Sequence, residues 1–328
     1  MPEGDRAAIA AASAQAARGP ATMSDIGIQR VVIEGERPGP RLLITGGVHG
    51  DEFEPMEAIR RLRSRVSPAM LRGRLTLAPV VNEAAWWRGH RVAAEDGLDL
   101  ARICPGKPDG SMTERTGHAL ATLIHDANAY IDLHTGGTEL LIHPLCGYGL
   151  HPDRGILDTQ RRMATAFNVD LIWGTSAKLN GRSLSVARDA RVPAIYAEWG
   201  GGARCDPAGV DSYVDGCLNV MAALDMLDRP TPASRVRHVI EDTGDASGHL
   251  QVQHPAPIAG YYRTIAHIGD VVKTGQTIGE CVDLLGDETH AVPASHDGVL
   301  IVQRTFPRVN KGDTCAAIAA FASAGDHA

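Results

Sequence analysis

The pattern of apolar and polar positions divides the chain into two regimes. Up to about residue 230, apolar runs of strand length alternate with longer segments whose apolar residues recur every three or four positions, the spacing of one helix face. The runs predict strands over 41–46, 74–81, 129–134, 139–143, 170–173 and 194–199. The periodic segments predict helices over 53–66, 113–126, 156–167 and 210–227, the first marked by Phe53, Met56, Ile59, Leu62 and Val66. Such alternation predicts an α/β domain, a mostly parallel or mixed sheet flanked by helices. Asp228-Arg229-Pro230-Thr231-Pro232-Ala233 reads as a linker by its two prolines. Beyond it the helical period disappears and turn residues punctuate short β-branched runs, which predicts a smaller all-β domain. The expected divisions are an N-terminal segment over 1–22, the α/β domain over 23–229 and the β domain over 234–328.

The ends of three predicted strands carry chemistry. Leu42-Leu43-Ile44 runs into Gly46-Gly47-Val48-His49-Gly50-Asp51-Glu52, where strand turns into helix and an imidazole and a carboxylate stand three residues apart. Taken alone, His49 reads equally as a hydrogen-bonded residue of a tight turn. A second strand, Ala129-Tyr130-Ile131-Asp132-Leu133-His134, also ends in a histidine. A catalytic zinc takes three nitrogen or oxygen ligands from the protein and keeps one position open, so His49, Glu52 and His134 read as one zinc per chain. The third strand, Ala194-Ile195-Tyr196-Ala197-Glu198-Trp199, closes on an acidic residue before three glycines. A lone carboxylate there is costly to bury, and an activated water gives it a role: Glu198 can take a proton and later pass it to a leaving amine. The competing reading of Glu198 is a helix cap or salt-bridge residue. In open α/β sheets ligands sit beyond the carboxyl ends of the strands, where all these residues fall.

Composition narrows the function classes. The 328 residues carry a net charge of −7 and are 44% hydrophobic, enough for a sizeable core but wrong in sign for nucleic acid, which needs clustered Lys and Arg. The six cysteines, at 104, 146, 205, 217, 281 and 315, form no Cys-x-x-Cys pair, which suggests reduced thiols and a cytoplasmic setting. Residues 1–21 lack the basic start and continuous apolar core of a signal peptide; a short docked helix or a disordered lead is expected there. No apolar run reaches the roughly 18 residues of a membrane span. A homo-oligomer is the default expectation for a soluble chain.

The order Gly-Gly-x-His-Gly-Asp-Glu, then Asp-Leu-His, then a strand-closing glutamate resembles the succinylglutamate desuccinylase/aspartoacylase family, whose members are zinc amidohydrolases with a zinc carboxypeptidase-like fold. The resemblance runs from about residue 40 to 320. Asn82 with Arg91, and Leu100-Ala101-Arg102 with Cys104-Pro105-Gly106, match further family segments. Asp-Leu-His-x-Gly-Gly and Glu-x-Gly-Gly-Gly look most like the N-acetyl-diaminobutyrate deacetylase branch, which acts in ectoine breakdown. The resemblance implies that Arg91 stabilises the charge developing on the amide oxygen and that Arg102 pairs with a substrate carboxylate. Ala101 stands where the family has asparagine, so one amide of that carboxylate grip is missing. Late in the chain, Val272-Lys273-Thr274-Gly275-Gln276-Thr277 is echoed by Val309-Asn310-Lys311-Gly312-Asp313-Thr314. The echo resembles biotinyl and lipoyl domains, but residues 281–296 lack the lysine that a carrier needs; a structural domain that flanks and narrows the active site is expected instead.

The leading expectation is a zinc-dependent amidohydrolase that deacylates a small N-acyl amino acid. A metallocarboxypeptidase acting on short peptides is the alternative, and a non-catalytic metal-binding module is the third reading.

Overall fold

The computed structural model describes residues 27–244, 247–248 and 253–321; the expectation for residues 1–21 lies outside them. The first half runs β1 (Val31–Glu34), β2 (Arg37–Thr45), α1 (Phe53–Arg65), β3 (Arg72–Ala78), α2 (Glu83–Arg88), α3 (Leu100–Ile103), α4 (Met112–His125), β4 (Ala129–His134) and β5 (Leu140–Gly149). It continues with α5 (Arg154–Phe167), β6 (Leu171–Thr175), α6 (Ser183–Asp189), β7 (Ala194–Gly201), α7 (Pro207–Ala223) and β8 (His238–Glu241). The tail holds β9 (Gly260–Thr264), β10 (Val271–Val272), β11 (Thr277–Val282), β12 (Thr289–Pro293), β13 (Gly298–Arg304), β14 (Arg308–Val309) and β15 (Ala316–Ala320).

The mixed sheet expected from the alternation is present, in the order β1-β3-β2-β4-β7-β5. β3, β2, β4 and β7 are mutually parallel, so the carboxyl ends of β2, β4 and β7 lie side by side. These strands are buried on both faces, which is why they read as unbroken apolar runs. On one face Leu42, Ile44, Ile131 and Ile195 pack under α1, α5 and α7. On the other, Leu43, Tyr130 and Ala194 pack with Leu120 and Ile124 of α4 and Val186 of α6. The short helices α2, α3 and α6 escape the periodicity reading, because six, four and seven residues complete too few turns to show a period.

One expectation about the tail needs correction. The strand after the proline linker, β8, returns to the large sheet and pairs parallel with β6. Further on, β13 adds edge to edge onto the first residues of β5 and lies in the plane of the sheet. The internal echo has a structural counterpart. Short strand β10 crosses to pair with β13 while β14 crosses to pair with β9, and β11 and β15 pair with β9 and β13 in turn. The two halves enclose a core that includes Tyr262, Ile278, Leu300 and Ile318.

Arg304 fastens the tail. Its side chain is 4% exposed and reaches Glu139 Oε2 at 3.1 Å, while its Nε donates to the Thr314 carbonyl at 2.8 Å. Glu139, half in solvent, can be rehydrated if the cation is lost; the buried Thr314 carbonyl cannot. Arg304→Met should therefore cost about 1–3 kcal/mol, the penalty for one stranded buried acceptor. A urea midpoint unchanged from wild type would contradict this.

Candidate active site

The site is built at the carboxyl ends of β2, β4 and β7. In the β4–β7 register His134 lies opposite Glu198 and Asp132 opposite Tyr196, and in the β2–β4 register Thr45 lies opposite Asp132. Because side chains alternate along a strand, Thr45, Asp132, His134, Tyr196 and Glu198 all emerge on the face covered by α4 and α6. His49 and Glu52 arrive from the turn after β2. Gly47 takes φ +63° there, and a Cβ on Gly50 would stand 2.1 Å from the Ala85 carbonyl carbon, so α2 packs directly on this turn. Glu52 is the N-cap of α1 but makes no side-chain capping bond; its carboxylate is turned instead toward the histidines.

The three proposed ligands converge. His49 Nδ1 lies 2.6 Å from Glu52 Oε1, and His134 Nδ1 lies 3.0 Å from Glu52 Oε2. One ligand atom from each residue falls within 4.8 Å of the others. Both imidazoles are pinned on their far side: His49 Nε2 is 3.1 Å from Asp99 Oδ1, and His134 Nε2 is 3.1 Å from Asp132 Oδ2. If each Nε2–H donates to its carboxylate, each Nδ1 turns a lone pair toward the Glu52 carboxylate. Positive charge among the three groups satisfies that arrangement, whether it is carried by protons on the imidazoles or by an ion, so the residues fit a metal ion. Burial would raise the Glu52 carboxyl, but His49 and His134 hold it well below the usual carboxylate range. Burial would lower His134, but Asp132 and Glu52 raise it well above an ordinary imidazole.

Carboxylates orienting metal-binding histidines are the usual outer support of such sites, and each is itself supported here. Asp132 is fully buried and accepts from Thr45 Oγ1 at 2.7 Å and from the Ser183 hydroxyl. Asp99 caps α3 by accepting from Ala101 N at 2.9 Å, and its Oδ2 takes Arg91 Nε and Nη2 at 3.1 and 3.0 Å. Glu198 is 8% exposed, and its buried Oε2 has no hydrogen-bond partner. Burial pushes its carboxyl up to about 8, against the opposing pull of His134.

A cavity of about 140 Å³ opens on this cluster, lined by Glu198, Arg91, Ala101, Arg102 and Arg182 among others. It is close to the roughly 150 Å³ that holds a benzene-sized ligand. From the side of the tail, Gly248 lines it, and no described residue beyond Gly248 does. All six residues singled out from the sequence therefore border one space. Three that matter were not singled out. Asp132 could have been, because it stands two positions before His134 on a strand and so shares its face. Asp99 gives the weaker signal of an N-cap before Leu100-Ala101-Arg102. Arg182, brought in at the start of the short helix α6, gives none.

A model of the succinylglutamate desuccinylase/aspartoacylase catalytic domain matches residues 38–224. The chain belongs to the succinylglutamate desuccinylase/aspartoacylase family. It is 32% identical over 298 residues to the N-alpha-acetyl-L-2,4-diaminobutyric acid deacetylase of Halomonas elongata, covering 88% of this chain and 84% of that one. Among solved structures, a succinylglutamate desuccinylase/aspartoacylase from Rhodobacter sphaeroides superposes with a TM-score of 0.81 at 25% identity, over 90% of this chain and 89% of that one. The product-bound ectoine utilization protein EutE (DoeB) of Ruegeria pomeroyi shares the fold with a TM-score of 0.81 at 23% identity, over 89% of each chain.

The contact between α2 and the His49 turn makes Gly50 a test of the candidate metal cluster. Backbone, not a flexible side chain, blocks a Cβ there, so Gly50→Ala must displace either the turn or α2. The variant should bind its metal at least about tenfold more weakly, the range seen when support around a metal ligand is disturbed. Metal titration against wild type decides; equal affinity would show that the turn is not held by α2.

Proposed function

We propose that this family member is a zinc-dependent deacylase that hydrolyses the amide bond of a small N-acyl amino acid. The observation that carries the reading is the pairing of two imidazole Nδ1 atoms on Glu52 with a buried, unpartnered carboxylate, Glu198, directly across the strand pair from His134. His49, Glu52 and His134 would hold the zinc, a donor set of the kind catalytic zinc takes. Bound there, zinc would polarise the amide carbonyl and lower the pKa of a coordinated water to about 7.

Glu198 accepts the proton of the attacking water and returns it to the leaving amine. Its buried Oε2, which has no hydrogen-bond partner, is free to take part in that exchange. Arg91, held by two bonds to Asp99, is a fixed cation beside the cluster and serves the oxyanion as the amide carbon becomes tetrahedral. Arg102 pairs with the substrate carboxylate. The cavity volume favours a small acyl amino acid over a peptide, and the likeness to a diaminobutyric acid deacetylase supports an acetyl group. The tail strands after β8, whose crossed halves resemble a biotinyl or lipoyl sandwich, form a structural unit joined to the catalytic α/β unit. Scattered free cysteines among the described residues support a reducing, cytoplasmic setting. The reading is tested by incubating zinc-loaded protein with a panel of N-acylated amino acids and short peptides. Release of a short acid from the former is expected, and release of a C-terminal amino acid from peptides alone would replace this reading with the carboxypeptidase one.

The metal and the base separate by mutation. His134→Ala should lose both zinc and turnover. Glu198→Gln should keep stoichiometric zinc while kcat falls by about 10²–10⁴, the span of general acid–base catalysis. Near-normal kcat in Glu198→Gln would remove Glu198 from the mechanism.

The arginines separate by kinetics. Losing a contact made only in the transition state lowers kcat, whereas losing uniform binding raises KM. Arg91→Ala should act mainly on kcat and Arg102→Ala mainly on KM, with Ala101→Asn tightening carboxylate-bearing substrates. Steady-state kinetics on the best acyl amino acid decide, and wild-type behaviour in both arginine variants would place the substrate elsewhere.

A further inference from the structure

One buried carboxylate near the site has no part in the chemistry above. Glu54, in the first turn of α1, has a relative exposure of 0%. Its Oε1 accepts the N–H of Asp206 at 3.1 Å, and the carboxylate lies against the Gly200–Gly201 backbone. Its Oε2 has no hydrogen-bond partner. What Glu54 meets is the last residues of β7 and the turn that leads from them to α7. Gly200, Gly201 and Gly202 run through this stretch with φ of +72°, +113° and +64°, angles that glycine tolerates. One side of the run is bonded to the backbone of residues 136–140, with Gly136 N donating to the Gly200 carbonyl and Gly202 N to the Leu140 carbonyl, and Glu54 closes the other side. A Cβ on Gly200 would stand 3.0 Å from Glu54 Oε1, so the turn is pressed against the carboxylate.

Both ends of this turn lead to the reactive groups. Glu198 stands two residues before Gly200. At the far end Asp206 caps α7 by accepting from Ala208 N, and on α7 the Tyr213 hydroxyl donates to the His134 carbonyl. We propose that Glu54 is a positioning residue: by holding the Asp206 amide and closing against Gly200 it fixes the glycine run, and through it the placement of Glu198 relative to His134. The proposal rests on Glu198 being the base. It differs from a role in metal binding, because Glu54 touches none of His49, Glu52 or His134 through its hydrogen bonds. A misplacement of the order of 1 Å in a reacting group costs about 10²-fold in rate, so loss of the anchor is expected to be read in kcat.

Glu54→Met keeps the volume and removes the acceptor. Glu54→Gln keeps one carbonyl oxygen, which suffices because Oε2 makes no bond. With the zinc-loaded full chain, Glu54→Met is expected to lose at least about tenfold in kcat with KM little changed, zinc still stoichiometric and faster amide hydrogen exchange over residues 200–206. Glu54→Gln is expected to retain kcat within about threefold and wild-type exchange, as one preserved acceptor requires. Wild-type kcat in Glu54→Met, equal damage in Glu54→Gln, or activity lost together with zinc would each overturn the proposal. Should Glu54→Met not fold, Glu54→Gln decides alone: retained kcat and exchange support the anchor, and loss of either overturns it. A fully active Glu198→Gln would instead refute the base assignment, and the exchange comparison at 200–206 would still judge the anchor.

Discussion

The carboxylate of Glu52, buried between two imidazoles that are each pinned from behind, is the constraint on which the rest of the structure depends. Two lone pairs and a carboxylate cannot face one another in a dry interior without positive charge among them. The fold concentrates this demand, placing Glu52, Asp99, Asp132 and Glu198 within one cluster. Buried acids of this kind cost several kcal/mol each unless they are paired and hydrogen-bonded. Here the compensation is visible: Arg91 on Asp99, hydroxyls on Asp132, imidazoles on Glu52. Glu198 lacks it on its buried Oε2, and Glu198 is the group the proposed chemistry uses. An unsatisfied polar atom beside a satisfied cluster is where a substrate or water should come.

The network is only as good as the strand register beneath it. His134 meets Glu198, and Asp132 meets Thr45, because β2, β4 and β7 are parallel and in step. A slip of one residue would turn His134 into the opposite layer of the core. The two apolar layers prevent that slip, since Leu43, Tyr130 and Ala194 fit under α4 and α6 only in the present register. Core and site are therefore one set of alternating positions read on the same strands. The antiparallel turn of β5 has its own consequence. It exposes a long strand edge, and that edge is shared between β6 and the tail strand β13. An uncovered edge of that length would invite pairing with other chains, so the tail completes the sheet.

The elements longest in period were legible. Strand 129–134 coincides with the observed one, and strand 194–199 and helices 53–66 and 156–167 differ from theirs by one or two residues at one end. The strand-end residues were legible too, because a histidine or glutamate that closes an apolar run breaks a pattern. What stayed hidden was carried by elements too short to have a period and by pairing across long stretches of sequence. Arg182 enters on α6, and Asp99 is fixed by α3, both shorter than the two turns needed to show a face. The linker at Pro230 and Pro232 marks a real change in composition, yet the next strand, β8, pairs back to β6. Hydrogen bonding between sheets of different sequence regimes leaves no trace in either regime. The echo around Gly275 and Gly312 announced two equivalent turns but not that their short strands would cross.

The replacement of the family asparagine by Ala101 can be placed in the same electrostatic frame. Ala101 keeps the backbone task of its position, donating its N–H to Asp99, so α3 and the orientation of His49 do not depend on the lost amide. The cavity wall loses a hydrogen-bonding group but not its positive character. Burial lowers both Arg102 and Arg182 from the usual guanidinium range, and Arg182 and Arg91 each press on Arg102 further. Like charges gathered in a small, partly dry cavity destabilise one another, and an anion among them relieves the strain more than an amide could. Asp99 offsets part of that repulsion on both arginines. Under the proposed function, Arg182 would add charge where the resemblance implies an amide, a broader electrostatic hold that would favour a substrate carboxylate without fixing its orientation as tightly.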